Sequence, residues 1–164
     1  MFNLARFRQA QDASHAGFAA ALSELEAGRK TGHWIWYIFP QLAGLGQSPT
    51  AVHYGLDGPE EAAAYLLDPV LGERLVTAAA EVRRRLAPPE SARLDQLMGS
   101  RIDALKLVSC MTLFAQVAMD LDGPQSRSRC VALAEHAEAI LDFAAAQGYR
   151  RCAFTETDLR PRKG

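Results

Sequence analysis

Strong net charge, paired cysteines and low-complexity runs are all missing from this chain. Its 18 Lys and Arg nearly cancel 19 Asp and Glu, leaving a net charge of -1. The balance gives no case for nucleic acid or an anionic membrane as a partner. Three cysteines, Cys110, Cys130 and Cys152, are odd in number, widely spaced and in no metal-ligand pattern. They read as reduced thiols of a cytoplasmic protein. Polar Asn3, Arg6 and Arg8 stand where a secretory signal would need an apolar run. Also absent are a glycine-rich phosphate loop followed by Lys-Ser/Thr, a strand-turn-helix serine elbow and a His/Glu metal helix.

The most telling absence is local. From Thr31 to Leu56, 26 positions in a row carry no Asp, Glu, Lys or Arg, in a chain that is 23% charged. Such a segment is largely hidden from water. Gly32, Gly44, Gly46, Gly55, Pro40 and Pro49 interrupt it, which rules out a membrane span of about 20 continuous apolar residues. At its head, Gly32-His33-Trp34-Ile35-Trp36-Tyr37-Ile38-Phe39-Pro40-Gln41 gathers four of the thirteen aromatic residues. The segment reads as a buried, bent stretch, either an aromatic core or the wall of a pocket.

The rest of the chain reads as helix, and 164 residues suit one domain. Asn3 is placed to cap a helix over residues 4–11, and Ser14 a second over 15–27 that Gly28 stops. On the second, Phe18, Leu22 and Leu25 share a face and Glu24 and Glu26 are left to solvent. Residues 33–39 do not alternate, so periodicity leaves strand or helix open; the helical surroundings favour two turns of helix ended by Pro40. Ser48 before Pro49 starts a turn of helix. Pro59 with Glu60 and Glu61 starts the next, with both carboxylates at the positive end of the dipole. Asp68-Pro69 opens a longer helix finished by Arg83-Arg84-Arg85 at about residue 86, and residues 90–98 read as a modest helix after Pro88-Pro89. Ser100 caps a central helix over 101–119, apolar on all sides and therefore buried. A turn over 120–124 leads to the last long helix, 124–147. Residues 151–164 read as a frayed tail. The expectation is a mainly α, single-domain helical bundle over residues 1–150, with a buried central helix and an aromatic irregular segment.

Candidate chemistry lies on the central helix and the aromatic stretch. Asp103 and Lys106 are neighbours on one helix surface; buried together, they form a structural ion pair or a site where Lys106 holds an anion and Asp103 orients it. Ser109 and Thr112 add hydroxyls nearby, free for a ligand or for the carbonyl one turn back. His33 is the natural titrating group and candidate acid or base, or a satisfied core histidine. Trp34 and Trp36 suit a planar ligand, with Arg29 and Lys30 close by for a phosphate; equally, aromatic rings supply core area without any ligand.

Taken together, residues 28–41, then Gly44-Leu45-Gly46-Gln47-Ser48, Tyr54, Glu61-Ala62, Ala64-Tyr65-Leu66, Pro69-Val70-Leu71-Gly72, Asp103, Lys106-Leu107, Ser109 and Met111-Thr112-Leu113-Phe114, resemble the bacterial domain of unknown function 1810 family. The resemblance runs over nearly the whole chain. It implies an all-helical single domain and supplies no reaction. It also implies a recurrent polar set, carried here by Lys30, His33, Gln41, Ser48, Tyr54, Asp103, Lys106, Ser109 and Thr112. Asp68 stands where the family usually has His, and Ala104 where a second acidic residue is common, which weakens any two-carboxylate mechanism.

The sequence therefore points to a cytoplasmic protein that binds a small anionic, nucleotide-like metabolite between residues 30–54 and 103–112. Lys30, Trp34, Trp36, Gln41, Ser48, Tyr54, Lys106, Ser109 and Thr112 would contact the ligand, with His33 or Asp103 as base if there is turnover. The alternative is a non-catalytic protein–protein interaction module in which the aromatic segment is only core. No metal, nucleic acid or membrane is implied, and the residues specify neither a cofactor nor an oligomeric state.

Overall fold

Ten helices account for the regular structure of the protein, a computed structural model that describes residues 1–121 and 123–160. They are α1 Ala5–Gln11, α2 Phe18–Glu26, α3 Ile35–Ile38, α4 Pro49–Tyr54, α5 Gly58–Leu67, α6 Pro69–Leu86, α7 Leu94–Leu97, α8 Arg101–Asp120, α9 Arg127–Ala146 and α10 Ala153–Asp158. Among the described residues there is no strand, only an isolated bridge between Leu42 and Leu56 that closes the irregular segment on itself.

The centre is α8. Ser100 caps it by accepting from Asp103 N–H at 3.1 Å, and the residues from Leu107 to Ala115 are all buried. It packs along α9, with α5, α7 and α10 at its other sides, while α6 lies across α9 and meets α2 and α5. Among the described residues α8 is the one helix long and apolar enough to cross a bilayer; here its apolar groups pack against neighbouring helices. Trp34, Ile35, Phe39, Leu66, Leu107 and Phe114 belong to one continuous core, each large side chain contributing roughly 1.5–3 kcal/mol by leaving water.

Several sequence expectations end differently in the details. Leu4, not Asn3, precedes α1 and offers no side-chain cap, and α2 starts at Phe18 rather than after Ser14. Gly17 takes the capping position because it is pressed against the Ala13 and Gln11 carbonyls, where a Cβ would not fit. The aromatic stretch forms a single turn, α3, not two: Phe39 leaves the helical region before Pro40 is reached. The stretch over 90–98 is helical only at Leu94–Leu97. Within the expected tail, α10 forms and rests on α8, while residues 161–164 and Asp122 of the expected turn lie outside the described residues. Ser48 and Asp68 cap α4 and α6 through their side chains.

Candidate functional site

The loop between α2 and α3 meets the first two turns of α8, and there three of the expected residues come together. Lys30 Nζ lies 2.7 Å from Asp103 Oδ2, and Lys106 Nζ lies 3.5 Å from Asp103 Oδ1. One carboxylate thus serves two ammonium groups, so the cluster keeps one positive charge. The two lysines are not equivalent. Lys30 is 5% exposed in its side chain, donates to the Gly32 carbonyl at 2.5 Å and lies 5.1 Å from the Trp34 ring centre. It is saturated. Lys106 is 21% exposed, has one long contact to Asp103, and sits 4.6 Å over the Trp36 ring. Cation–π contacts of this kind add roughly 0.5–2 kcal/mol.

The loop is held from two sides. On one, Glu24 Oε1 accepts from Thr31 N–H at 2.5 Å, Gly32 N–H at 2.6 Å, Thr31 Oγ1 at 3.0 Å and Trp34 Nε1 at 3.3 Å. Burial pushes the Glu24 carboxyl up, but the Gly32 and Thr31 donors and the Trp34 indole outweigh it and hold it below its usual range. Glu24 is half-buried at the site rather than left to solvent; Thr31 lies seven positions on, past the end of α2, where helical spacing no longer relates the two. On the other side, Lys30 N–H donates to the Leu97 carbonyl at 2.8 Å. Gly99 makes that approach possible: its φ is +81°, and a Cβ there would stand 2.6 Å from the Lys30 carbonyl oxygen.

Trp34 and Trp36 stay against the two lysines, and the other expected residues separate into other places. Trp34 is fully buried, with Phe39 and Lys30 against its ring and Glu24 on its N–H. No surface of it is left for a stacked ligand; it is core. Trp36 is half-buried, and its Nε1 is shut off from water with no acceptor. His33 is exposed, three residues from Trp36, and its carbonyl accepts from Tyr37. Ser48 is used as the α4 cap, and Tyr54 packs on Phe7 and Tyr37. Gln41 is buried, and its backbone carbonyl accepts from Leu56 N–H. Ser109 and Thr112 donate to carbonyls one turn back, Leu105 at 3.0 Å and Val108 at 2.7 Å. Both hydroxyls face α10, where Thr112 Oγ1 accepts from Cys152 N–H at 3.2 Å.

Two clefts lie away from the lysines. One of about 730 Å³ is lined by residues including Leu42, Leu56, Asp57, Glu60 and Arg160. Another, of about 440 Å³, is lined by Thr112, Gln116, Asp120, Glu138 and Arg151 among others. Neither joins residues 30–54 to 103–112.

Comparison with known proteins gives a consistent answer. The family described as "Protein of unknown function (DUF1810)" matches residues 1–132. The chain belongs to this family. It is also similar to the conserved hypothetical protein Rv1873 from Mycobacterium tuberculosis, known from a crystal structure at 1.38 Å. The two are 38% identical over 88% of this chain and 96% of that one, with a TM-score of 0.65. No curated protein matches the chain.

Proposed function

We propose that this member of the family binds a small anionic metabolite at Lys106 and Trp36, with Asp103 and Lys30 as the frame that positions Lys106. The observation that supports this reading most is an imbalance of donors and acceptors. Two ammonium groups share one carboxylate, and beside them the Trp36 N–H is buried without an acceptor. An unmet buried N–H costs roughly 1–3 kcal/mol, and a carboxylate or phosphate oxygen is the group that would meet it and the surplus charge together. Exposed His33 lies close in sequence, placed for a second contact or for proton transfer if the ligand is turned over.

The arrangement favours an edge-on anion over a stacked base. Lys106 already covers one face of Trp36, so the lysine contributes its charge, and the indole contributes its N–H edge once the side chains that bury it move aside. The three cysteines are free thiols, in keeping with a reducing, cytoplasmic setting. The rival reading, an interaction module with the aromatic stretch as core, draws support from the complete burial of Trp34.

Titration with nucleoside mono- and diphosphates and with dicarboxylates, followed by tryptophan fluorescence and thermal shift, tests the proposal. A ligand selective for the native state raises Tm by mass action. The expected result is a saturable shift that Lys106→Met and Trp36→Phe both remove and Lys106→Arg keeps. Shifts that are equal in wild type and Lys106→Met, or absent across the whole panel, overturn it.

A further inference from the structure

At the far end of α8 from Asp103, about 24 Å along the helix at 1.5 Å per residue, the surface changes character. There α8 and α9 leave a groove of about 520 Å³ floored by Ala118, Cys130 and Ala134. Met119 and Val131 stand at it 67% and 51% exposed. The opposite face of α9 is core, through Leu133, Ala137 and Ile140. Two large apolar side chains, Met119 on α8 and Val131 on α9, are thus held in water on helices whose inner faces are already packed.

The pattern along α9 says what covers them. Arg127, Val131 and Glu135 follow one another at intervals of four, so they form one line on the helix surface. All three are exposed, and Arg127 and Glu135 form the lips of the groove. The line reads cation, apolar group, anion. Laid against a parallel copy in register, it sets like charge on like charge. Turned by a two-fold axis through Val131, it sets Arg127 on Glu135 of the second copy, Glu135 on its Arg127, and Val131 on Val131. Only the reversed arrangement satisfies both charges at once, which is the self-complementarity a closed dimer requires.

We infer that this groove is the contact by which two copies of the chain pair, antiparallel along α9, each placing its Met119 in the groove of the other. The apolar centre supplies the affinity, and the outer ion pairs set orientation rather than strength. A patch of one helix line is at the small end of specific interfaces, so the protein exchanges between monomer and dimer with concentration.

Sedimentation equilibrium of the full chain over a concentration series, with circular dichroism to confirm folding, tests this. Wild type is expected to show a monomer–dimer equilibrium. Arg127→Glu and Glu135→Arg, each of which places like charges opposite one another, are expected to sediment as monomers. Mixed one to one, the two variants should form heterodimers, because one then carries only anions along the line and the other only cations. The double charge swap should restore self-pairing, and Val131→Lys should abolish it. A wild type that stays monomeric throughout, single variants that pair as well as wild type, or a mixture that fails to pair would each overturn the proposal. A groove that takes up an unrelated amphipathic helix while wild type remains monomeric would overturn it as well.

Discussion

Lys30 and Asp103, far apart in sequence, meet at 2.7 Å with both side chains mostly out of water. This contact pins the α2–α3 loop to the start of α8 and fixes where Lys106 can stand. The carboxylate also sits in the first turn of α8, where the positive end of the helix dipole favours it.

The two lysines around Asp103 should therefore respond differently to mutation. Asp103→Asn leaves the Lys30 ammonium buried beside a neutral amide, and the expected loss is about 3 kcal/mol. Lys106→Met removes a longer, partly solvated contact and should cost less than about 1 kcal/mol. Urea denaturation of the two variants measures both. Equal losses would mean that the buried partner of Asp103 is not Lys30 alone.

Glu24 gives the loop a pH dependence of known sign. Its folded-state pKa is lowered, so between the unfolded value of about 4.3 and the lower native value the unfolded chain binds more protons. Stability from Glu24 is then fully present above the unfolded pKa and is lost as pH falls through the native one. Glu24→Gln is expected to lose about 1–3 kcal/mol at neutral pH, and its gap from wild type should narrow as the solution is acidified. Urea midpoints at several pH values, read by tryptophan fluorescence, report this. A gap independent of pH would remove Glu24's charge from the account.

How far the sequence could be read depended on the reach of each interaction. The helical layout was legible because its signals are local: Ser48, Asp68 and Ser100 each cap through a donor two or three residues on. The Asp103–Lys106 contact was visible for the same reason. What it joins was not. Lys30 reaches Asp103 only after the chain has folded, and Glu24 reaches Thr31, Gly32 and Trp34 across a helix end. Gathering Ser48, Tyr54, Ser109 and Thr112 with the lysines assumed that polar residues in apolar surroundings share one cavity. In the fold they meet nearby needs, capping α4, packing on Phe7 and bonding the preceding turn.

The cysteines should separate by reactivity. Burial raises the Cys152 thiol, but the Ser109 hydroxyl and the Thr155 and Phe154 groups at the start of α10 bring it below its ordinary value. Cys110 is fully buried, and desolvation holds its thiol well above the usual range. Alkylation of the native protein is expected at Cys152 first, with Cys110 protected until unfolding. Mass spectrometry of a labelling time course reads the order. Comparable rates at Cys110 would contradict the burial that sets the two apart.

Glu60 and Glu61 look interchangeable in the sequence, two carboxylates in the first turn of one helix. Their surroundings differ. Glu60 is exposed, whereas Glu61 is buried, takes Arg6 at 2.7 Å and accepts from Asp57 N–H at 2.6 Å. Arg6 in turn donates to the carbonyls of Asn3, His53 and Gly55, so one guanidinium ties α1 to the ends of α4 and the irregular segment. Neutralising Glu61 strands that guanidinium among carbonyls with no counter-charge. Glu61→Gln is therefore expected to cost about 3 kcal/mol, and Glu60→Gln to stay within about 0.5 kcal/mol of wild type. Because the loss falls on the contact that holds α1 down, limited proteolysis should cut Glu61→Gln first near its N-terminus. Matching stabilities for the two variants would leave Arg6 satisfied by the carbonyls alone and the ion pair without weight.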